Sequence, residues 1–149
     1  MNEDFLDLLA ALLDSGARFL VVGAHALAVH GVPRATGDLD IWIPLHNENT
    51  DLVWSALKQF GAPLGSLDVT KEDLNTVGMV VQIGLPPRRI DILTQLSGVD
   101  FDSAWRSRVE HVVGSLKVPF IGRNTLLENK RATGRTKDLA DIEALEGNE

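Results

Sequence analysis

The stretch VVGAHALAVHGVPRATGDLDIWI, residues 21–43, constrains the fold more than any other part of the chain. An apolar run stops at Gly23, a short apolar helix follows, and a loop leads to Asp38-Leu39-Asp40 at the start of a second apolar run. Side chains alternate along a strand, so both carboxylates project from one face and repel each other. The pattern therefore predicts a divalent cation that offsets this repulsion where the second strand begins.

The apolar periodicity predicts a mixed α/β fold of the α+β type. Helical spacing is found at 2–16, 24–30, 47–61, 100–109 and in two C-terminal segments within about 123–146. Strand-like runs lie at 18–22, 39–43, 77–84, 88–93 and in two short pieces of 110–122. Because the middle runs are sequential and hairpin-like, we expect a mixed sheet of about four to five strands with helices packed on it.

Glycine, proline and small polar residues mark the predicted helix ends. Gly16 and Gly61 follow the helices at 2–16 and 47–61, and Gly31 and Pro33 follow the short helix between them. The asparagines and threonine at the start of 47–61 are the expected N-caps of that helix.

The composition restricts the classes of function. A length of 149 residues predicts a single domain over 1–149, and 44% hydrophobic residues suffice for a core. A net charge of -7 argues against a broad nucleic-acid-coating surface. The chain has no cysteine, which excludes disulfides, thiolate metal sites and cysteine nucleophiles. The acidic N-terminus and the absence of an apolar run of about 20 residues predict a cytoplasmic protein without a membrane segment.

A third carboxylate has a setting like that of the first two. Asp91 lies between Ile90 and Ile92, so it projects from a strand whose other face is apolar. If this strand neighbours the one that carries Asp40, the three carboxylates converge and suit Mg²⁺ or Mn²⁺. The alternative is that these aspartates are ordinary loop and polar-face residues without a ligand.

The 21–43 stretch resembles the core signature of the DNA polymerase β-type nucleotidyltransferase superfamily. It is most similar to the small bacterial and archaeal members, some of which belong to abortive-infection toxin–antitoxin pairs. The matching positions are Gly23, Ala26, His30, Gly31, Arg34, Thr36, Asp38 and Asp40, with Asp91 as the later family carboxylate. The tail also resembles these proteins, at Lys130, Arg135, Lys137, Asp138 and Asp141.

The resemblance implies a metal-dependent transfer of a nucleoside monophosphate from an NTP to an acceptor hydroxyl. By this resemblance, Asp38, Asp40 and Asp91 are catalytic and ligate Mg²⁺ or Mn²⁺, and Asp91 is also a candidate general base. The implied nucleotide-binding residues are Gly23, Ala24, Arg34 and Lys137. Ala24 departs from the family pattern, because the usual residue there is glycine or serine and alanine brings no hydroxyl.

The sequence is also compatible with two further functions. The chain is alternatively a catalytically weak component of a toxin–antitoxin pair that binds nucleotide or a partner protein without turnover. It is also a candidate nucleic-acid module through the basic cluster of Lys130, Arg131, Arg135 and Lys137, which otherwise forms a solvated, ion-paired helix face. The acceptor is equally open, with a protein side chain, a tRNA end and a small molecule as the choices.

Histidine and tryptophan positions favour structural roles. His25 and His30 are five residues apart, which is not the spacing of a helical zinc pair, so both are expected to pack or cap. The three tryptophans are expected in the core. Trp42 follows Asp40 by two residues and therefore lies on the carboxylate face, which makes it the one tryptophan that is a candidate for a nucleotide contact.

Overall fold

The computed structural model describes residues 1–32, 34 and 37–147. Pro33, an expected helix terminator, and Thr36, one of the positions that resemble the family motif, lie outside the described residues.

Helices and strands follow one another in an order close to the predicted one. The helices are α1 (Glu3–Ser15), α2 (Gly23–Val29), α3 (Asn47–Phe60), α4 (Phe101–Arg106), α5 (Arg123–Thr133) and α6 (Thr136–Gly147), with a 3₁₀ turn at Lys71–Asn75. The strands are β1 (Leu20–Val22), β2 (Leu39–Trp42), β3 (Val80–Ile83), β4 (Ile90–Leu93), β5 (Val109–Val113) and β6 (Leu116–Phe120). The predicted α/β class is confirmed.

One mixed sheet holds all of the described strands in the order β3-β4-β2-β1-β6-β5. The prediction of four to five strands was too low, because the described sheet has six. Both pieces of the 110–122 segment join it: β5 and β6 form an antiparallel hairpin, and β6 pairs in parallel with β1 at Val21 and Phe120. Without β6, one edge of β1 would present unpaired backbone N–H and C=O groups. The pairing with β6 satisfies these groups.

Capping residues set the helix ends. Asn2 accepts a hydrogen bond of 2.9 Å from the backbone N–H of Phe5, and Gly16 ends α1 in the left-handed conformation. The expectation of an asparagine or threonine cap for α3 was wrong. His46 is the N-cap, and its Nδ1 accepts from the backbone N–H of Asn49 at 3.4 Å. The histidine ring nitrogen serves here in the place of a short side-chain oxygen.

The apolar faces of the helices and the sheet form the core. Leu8, Leu9 and Leu12 of α1 are at most 1% exposed. Leu39 and Ile41 point to the same interior from β2, so the face that carries Asp40 is the other one. Among the described residues, no helix combines the length and apolar character needed to span a membrane.

A buried group of charges fastens α6 to α5. Asp138 is fully buried and accepts hydrogen bonds from the side chains of Thr133 (2.7 Å) and Arg135 (2.7 Å). Lys130 lies 3.1 Å from Asp141 and 3.4 Å from Asp138. The alternative of a solvated helix face was therefore wrong for Lys130, which is buried between the helices, whereas Arg135 is exposed and pairs with Asp138 at the i,i+3 spacing of that alternative.

Replacement of Asp138 tests the contribution of this group. The hydrogen bonds from Arg135 and Thr133 hold the pKa of Asp138 well below its usual range. We expect Asp138→Ala to lower the free energy of unfolding by about 3 kcal/mol, because Lys130 is left without one of its buried partners. Urea denaturation at pH 7 measures the loss.

The matched control is Glu143→Ala on the exposed face of α6, with an expected change within about 0.5 kcal/mol. The difference in free energy of unfolding between wild type and Asp138→Ala should decrease as the pH falls below about 4. A carboxylate with a depressed pKa loses its contribution to stability on acidification. Equal effects of the two substitutions would contradict the assignment.

Candidate active site

Strand pairing brings the predicted carboxylates together. β2 and β4 are parallel neighbours in a register that places Asp40 opposite Asp91. Asp38 directly precedes β2, where the backbone N–H of Leu39 donates to the carbonyl of Arg89 at 3.0 Å. The convergence of three carboxylates, predicted if the strands are neighbours, is thus what the fold produces.

Arg89 lies between two of these acids. Its Nη2 is 3.2 Å from Asp38 Oδ2 and also donates to Asp91 Oδ2 at 3.2 Å. Its Nε is 2.9 Å from Asp91 Oδ1, although the approach is not aligned for a hydrogen bond. Sequence reasoning missed Arg89. The available signal was its position two residues before Asp91, which places both side chains on one face.

Asp40 takes up much of the repulsion in the cluster. Burial, followed by the charges of Asp91 and Asp38, raises the pKa of Asp40 to about 6, and Arg89 offsets only part of this effect. Near neutral pH the cluster therefore carries more negative charge than Arg89 balances. Protonation of Asp40 or binding of a cation lowers the electrostatic repulsion energy among the three carboxylates.

The turn from β1 into α2 needs a glycine at position 23. Gly23 has φ +69°, a backbone conformation that residues with a side chain rarely adopt. A Cβ at this position would also collide with the carboxylate of Asp40. The β1–α2 turn and the Asp40 carboxylate are therefore in direct contact, and Gly23 is what permits the approach.

A cavity of about 710 Å³ opens beside this contact. Five of the predicted site residues line it: Gly23, Ala24, Arg34, Asp40 and Lys137. Residues of α5 and of the segment after β4 complete the walls, among them Gln95, Ser97, Asn129 and Lys130. Asp38 and Asp91 are not among the lining residues, so Asp40 is the carboxylate of the three that faces the cavity. The volume suits a nucleotide-sized ligand.

Most cations at the cavity already have acidic partners. Arg34 pairs with the buried Asp141, and not with Asp38, Asp40 or Asp91. Lys130 and Arg135 are held by Asp138. Among the described cavity-lining cations, Lys137 is the one without an ion pair, and it is exposed. Arg131 outside the cavity is 2.7 Å from Glu146, so little of the C-terminal basic cluster is free for a nucleic-acid backbone.

The donor chemistry of the carboxylate cluster fits a hard divalent cation. Asp38 Oδ1 and Asp91 Oδ1 are buried without a hydrogen-bond partner. Carboxylate oxygens are the donors that Mg²⁺ and Mn²⁺ prefer. In the part of the chain that the structure describes, no three acidic or histidine side chains are already arranged around one ion position. The cluster is instead organised around the Arg89 guanidinium.

The remaining aromatic and histidine positions have structural roles. His30 ends α2, and its Nε2 is 2.7 Å from the carbonyl oxygen of Ile121. The ring of His25 packs edge-on against Phe5 at 5.8 Å, as expected for a packed histidine. Trp42 is 2% exposed and packs edge-on against Phe101 at 5.0 Å. It belongs to the core and offers no face to a nucleotide.

Substitution of Gly23 tests the close approach at the β1–α2 turn. We expect Gly23→Ala to cost about 1–2 kcal/mol for the left-handed backbone, plus the cost of displacing Asp40. Gly16→Ala is the matched control, because Gly16 has φ +78° but no atom within 4 Å of the added Cβ. Thermal unfolding compares the two variants, and an equal loss of stability in both would contradict the contact.

The raised pKa of Asp40 predicts an unusual pH dependence. Native Asp40 binds its proton up to about pH 6, whereas the unfolded carboxyl releases it near 3.8, so stability is lost as the pH rises through this window. Asp40→Asn should therefore melt a few degrees above wild type at pH 7.5 in EDTA, and the gain should shrink towards pH 4. Asp7→Asn, at an exposed site of α1, should show no such pH-dependent gain. A gain that is the same at both pH values would exclude the electrostatic cause.

Comparison with solved structures identifies the fold. The chain is similar to a candidate nucleotidyltransferase from Thermotoga maritima, with a TM-score of 0.60 and 12% sequence identity over 100% of this chain and 96% of that chain. It is also similar to ANT(2″)-Ia, solved in complex with adenylyl-2″-tobramycin, with a TM-score of 0.57 and 13% identity over 95% of this chain and 84% of that chain. No protein-family model and no curated protein matches the chain. The chain therefore has a nucleotidyltransferase-type fold, as its resemblance to that superfamily predicted.

Proposed function

We propose that this protein is a metal-dependent nucleotidyltransferase. It moves a nucleoside monophosphate from an NTP to an acceptor hydroxyl and releases pyrophosphate, with Mg²⁺ or Mn²⁺ as the cofactor. The observation that carries the proposal is the register of β2 and β4. It sets Asp40 beside Asp91 on the face that meets the Gly23 turn and the cavity.

The carboxylate cluster supplies the cation site. Asp38, Asp40 and Asp91 are the residues that would hold the ion, and the ion would neutralise charge on the phosphates and on the leaving pyrophosphate. Asp40 faces the cavity, so it is the carboxylate of the three that would bring the ion to a nucleotide bound there. The proton of the attacking hydroxyl goes to a carboxylate of this cluster. Asp40 is better placed to accept it than Asp91, because Asp40 lines the cavity and Asp91 does not.

Other residues that line the cavity bind the phosphates. Lys137 is exposed and unpaired, so it is free to contact the triphosphate. Gly23 and Ala24 bring backbone N–H groups to the same cavity without bulky side chains. Arg34 is held by Asp141, so a phosphate that binds Arg34 competes with this pair.

The acceptor is drawn from hydroxyl-bearing molecules. ANT(2″)-Ia was solved with an adenylylated tobramycin, so a small-molecule hydroxyl is one class of acceptor to supply in the assay. A protein side chain and a tRNA end are the other acceptor classes. A partner protein of a toxin–antitoxin pair is a candidate binding partner and not a fourth class of acceptor. These three acceptor classes define the arms of the assay.

Label transfer tests the proposed activity. Each NTP, labelled at the α-phosphate, is incubated with the protein, Mg²⁺ and a cell extract separated into protein, RNA and small-molecule fractions. We expect transfer to one fraction, with pyrophosphate release, and a loss of about 100-fold or more in Asp38→Asn and Asp40→Asn. EDTA should abolish transfer, and Mg²⁺ or Mn²⁺ should restore it. Asp7→Asn is the control and should transfer label as wild type does.

Two outcomes would oppose the proposal in different ways. Undiminished transfer by the Asp38 and Asp40 variants would place the chemistry elsewhere. Saturable Mg²⁺–NTP binding without pyrophosphate release would favour the alternative of a catalytically weak binding component of a toxin–antitoxin pair. Ala24 is the feature that supports this alternative, because it lines the cavity where a serine would add a hydroxyl towards the phosphates.

A further inference from the structure

Arg89 makes a two-sided contact with the proposed metal site. The guanidinium, 29% exposed, joins Asp38 before β2 to Asp91 on β4 through one Nη2 atom that is 3.2 Å from an oxygen of each. The backbone of Arg89 is fixed as well, because its carbonyl accepts the N–H of Leu39 at 3.0 Å. The side chain is therefore positioned at the cluster by the sheet and does not reach it by chance from a mobile loop.

The contacts of Arg89 involve three of the four carboxylate oxygens of Asp38 and Asp91. Asp38 Oδ2 and both oxygens of Asp91 face the guanidinium within 3.2 Å. An ion held by the same aspartates has to replace at least part of these contacts, because a guanidinium and a metal ion cannot occupy the same side of one carboxylate.

The charges show why such an exchange is favourable. Three carboxylates face one guanidinium, and Arg89 does not reach the cavity-facing Asp40 with any contact below the salt-bridge distance in the described structure. A monovalent group therefore offsets only part of the negative charge. A divalent ion that reaches all three acids offsets more of it.

We propose that Arg89 is the resident counter-cation of the carboxylate cluster, and that the divalent ion binds by exchange with its guanidinium. This inference rests on the proposed function, since it presupposes the metal site. Arg89 then has two effects on the cluster. It holds the acids together in the metal-free protein, and it weakens metal binding by competing for the same oxygens.

The exchange makes a prediction opposite to that of a purely structural salt bridge. If Arg89 served only as a structural salt bridge, Arg89→Ala would disorganise the site and bind metal more weakly than wild type. Under exchange, Arg89→Ala should bind Mn²⁺ at least about tenfold more tightly than wild type, because the competing charge-assisted hydrogen bonds are gone. Without metal the variant should melt below wild type, and Mn²⁺ should raise its melting temperature by more than it raises that of wild type.

The experiment measures Mn²⁺ binding directly, by the loss of the free-ion signal in electron paramagnetic resonance, with no NTP present. Arg88→Ala is the matched control. Arg88 is the exposed neighbour of Arg89, so this substitution removes one unit of positive charge but no contact with the three aspartates. Arg89→Gln keeps a hydrogen-bonding side chain and serves if the alanine variant is too unstable to titrate. Tighter binding in the Arg89 variants, with Arg88→Ala near wild type, supports the exchange.

The other outcomes separate the two proposals. Equal or weaker Mn²⁺ binding in the Arg89 variants, with clear binding in wild type, overturns the role of Arg89 and leaves the metal site intact. Equal tightening in Arg88→Ala also overturns it, because a general charge effect then suffices. An absence of Mn²⁺ binding in wild type and in every variant removes the metal site of the proposed function, and the exchange with it. Binding that appears only in the Arg89 variants supports the competition in its strongest form.

Discussion

Parallel pairing of two short strands is the constraint on which the site depends. β2 and β4 are neighbours in a register that makes Asp40 and Asp91 adjacent. Asp38 joins them because it lies one residue before the start of β2. The apolar residues between these acids, such as Leu39 and Ile41, are buried on the other face, so the register cannot slip by one residue without burying the carboxylates. The hydrophobic core therefore enforces an arrangement that electrostatics alone opposes.

Two groups of acids border the cavity, and they differ in how well the protein balances them. Asp138 and Asp141 are buried, but Lys130, Arg135 and Arg34 all pair with them. The charges of that group are paired within the protein, and the ion pairs connect α5, α6 and Arg34. The Asp38, Asp40 and Asp91 cluster has Arg89 as its cationic partner, and burial together with the charges of Asp91 and Asp38 raises the pKa of Asp40. The unbalanced group is the one that a ligand can complete.

Local signals predicted most elements, and the exceptions have physical causes. Apolar periodicity and the glycines placed α1, α3 and the β3–β4 hairpin close to their observed bounds. The N-cap of α3 was missed because a histidine ring nitrogen occupies the place of the usual side-chain oxygen at His46. All six strand-like runs were marked in the sequence, but the sheet was expected to hold only four to five, because the pairing of β6 with β1 at Phe120 joins segments about 100 residues apart, which no local pattern encodes.

The sequence by itself determined the parts of the site that lie within one element. It supplied the Asp38-Leu39-Asp40 pair on one face, the glycine turn at Gly23, and the setting of Asp91 between isoleucines, because alternation along a strand is a property of the local chain.

Only the tertiary structure decided what surrounds those residues. It placed Arg89 between Asp38 and Asp91, engaged Arg34 with Asp141, and left Lys137 exposed at the cavity. Each of these depends on which segments distant in sequence pack together. The partner of a charged side chain is chosen by that packing and by the need to offset buried charge, and neither is encoded in the neighbouring residues.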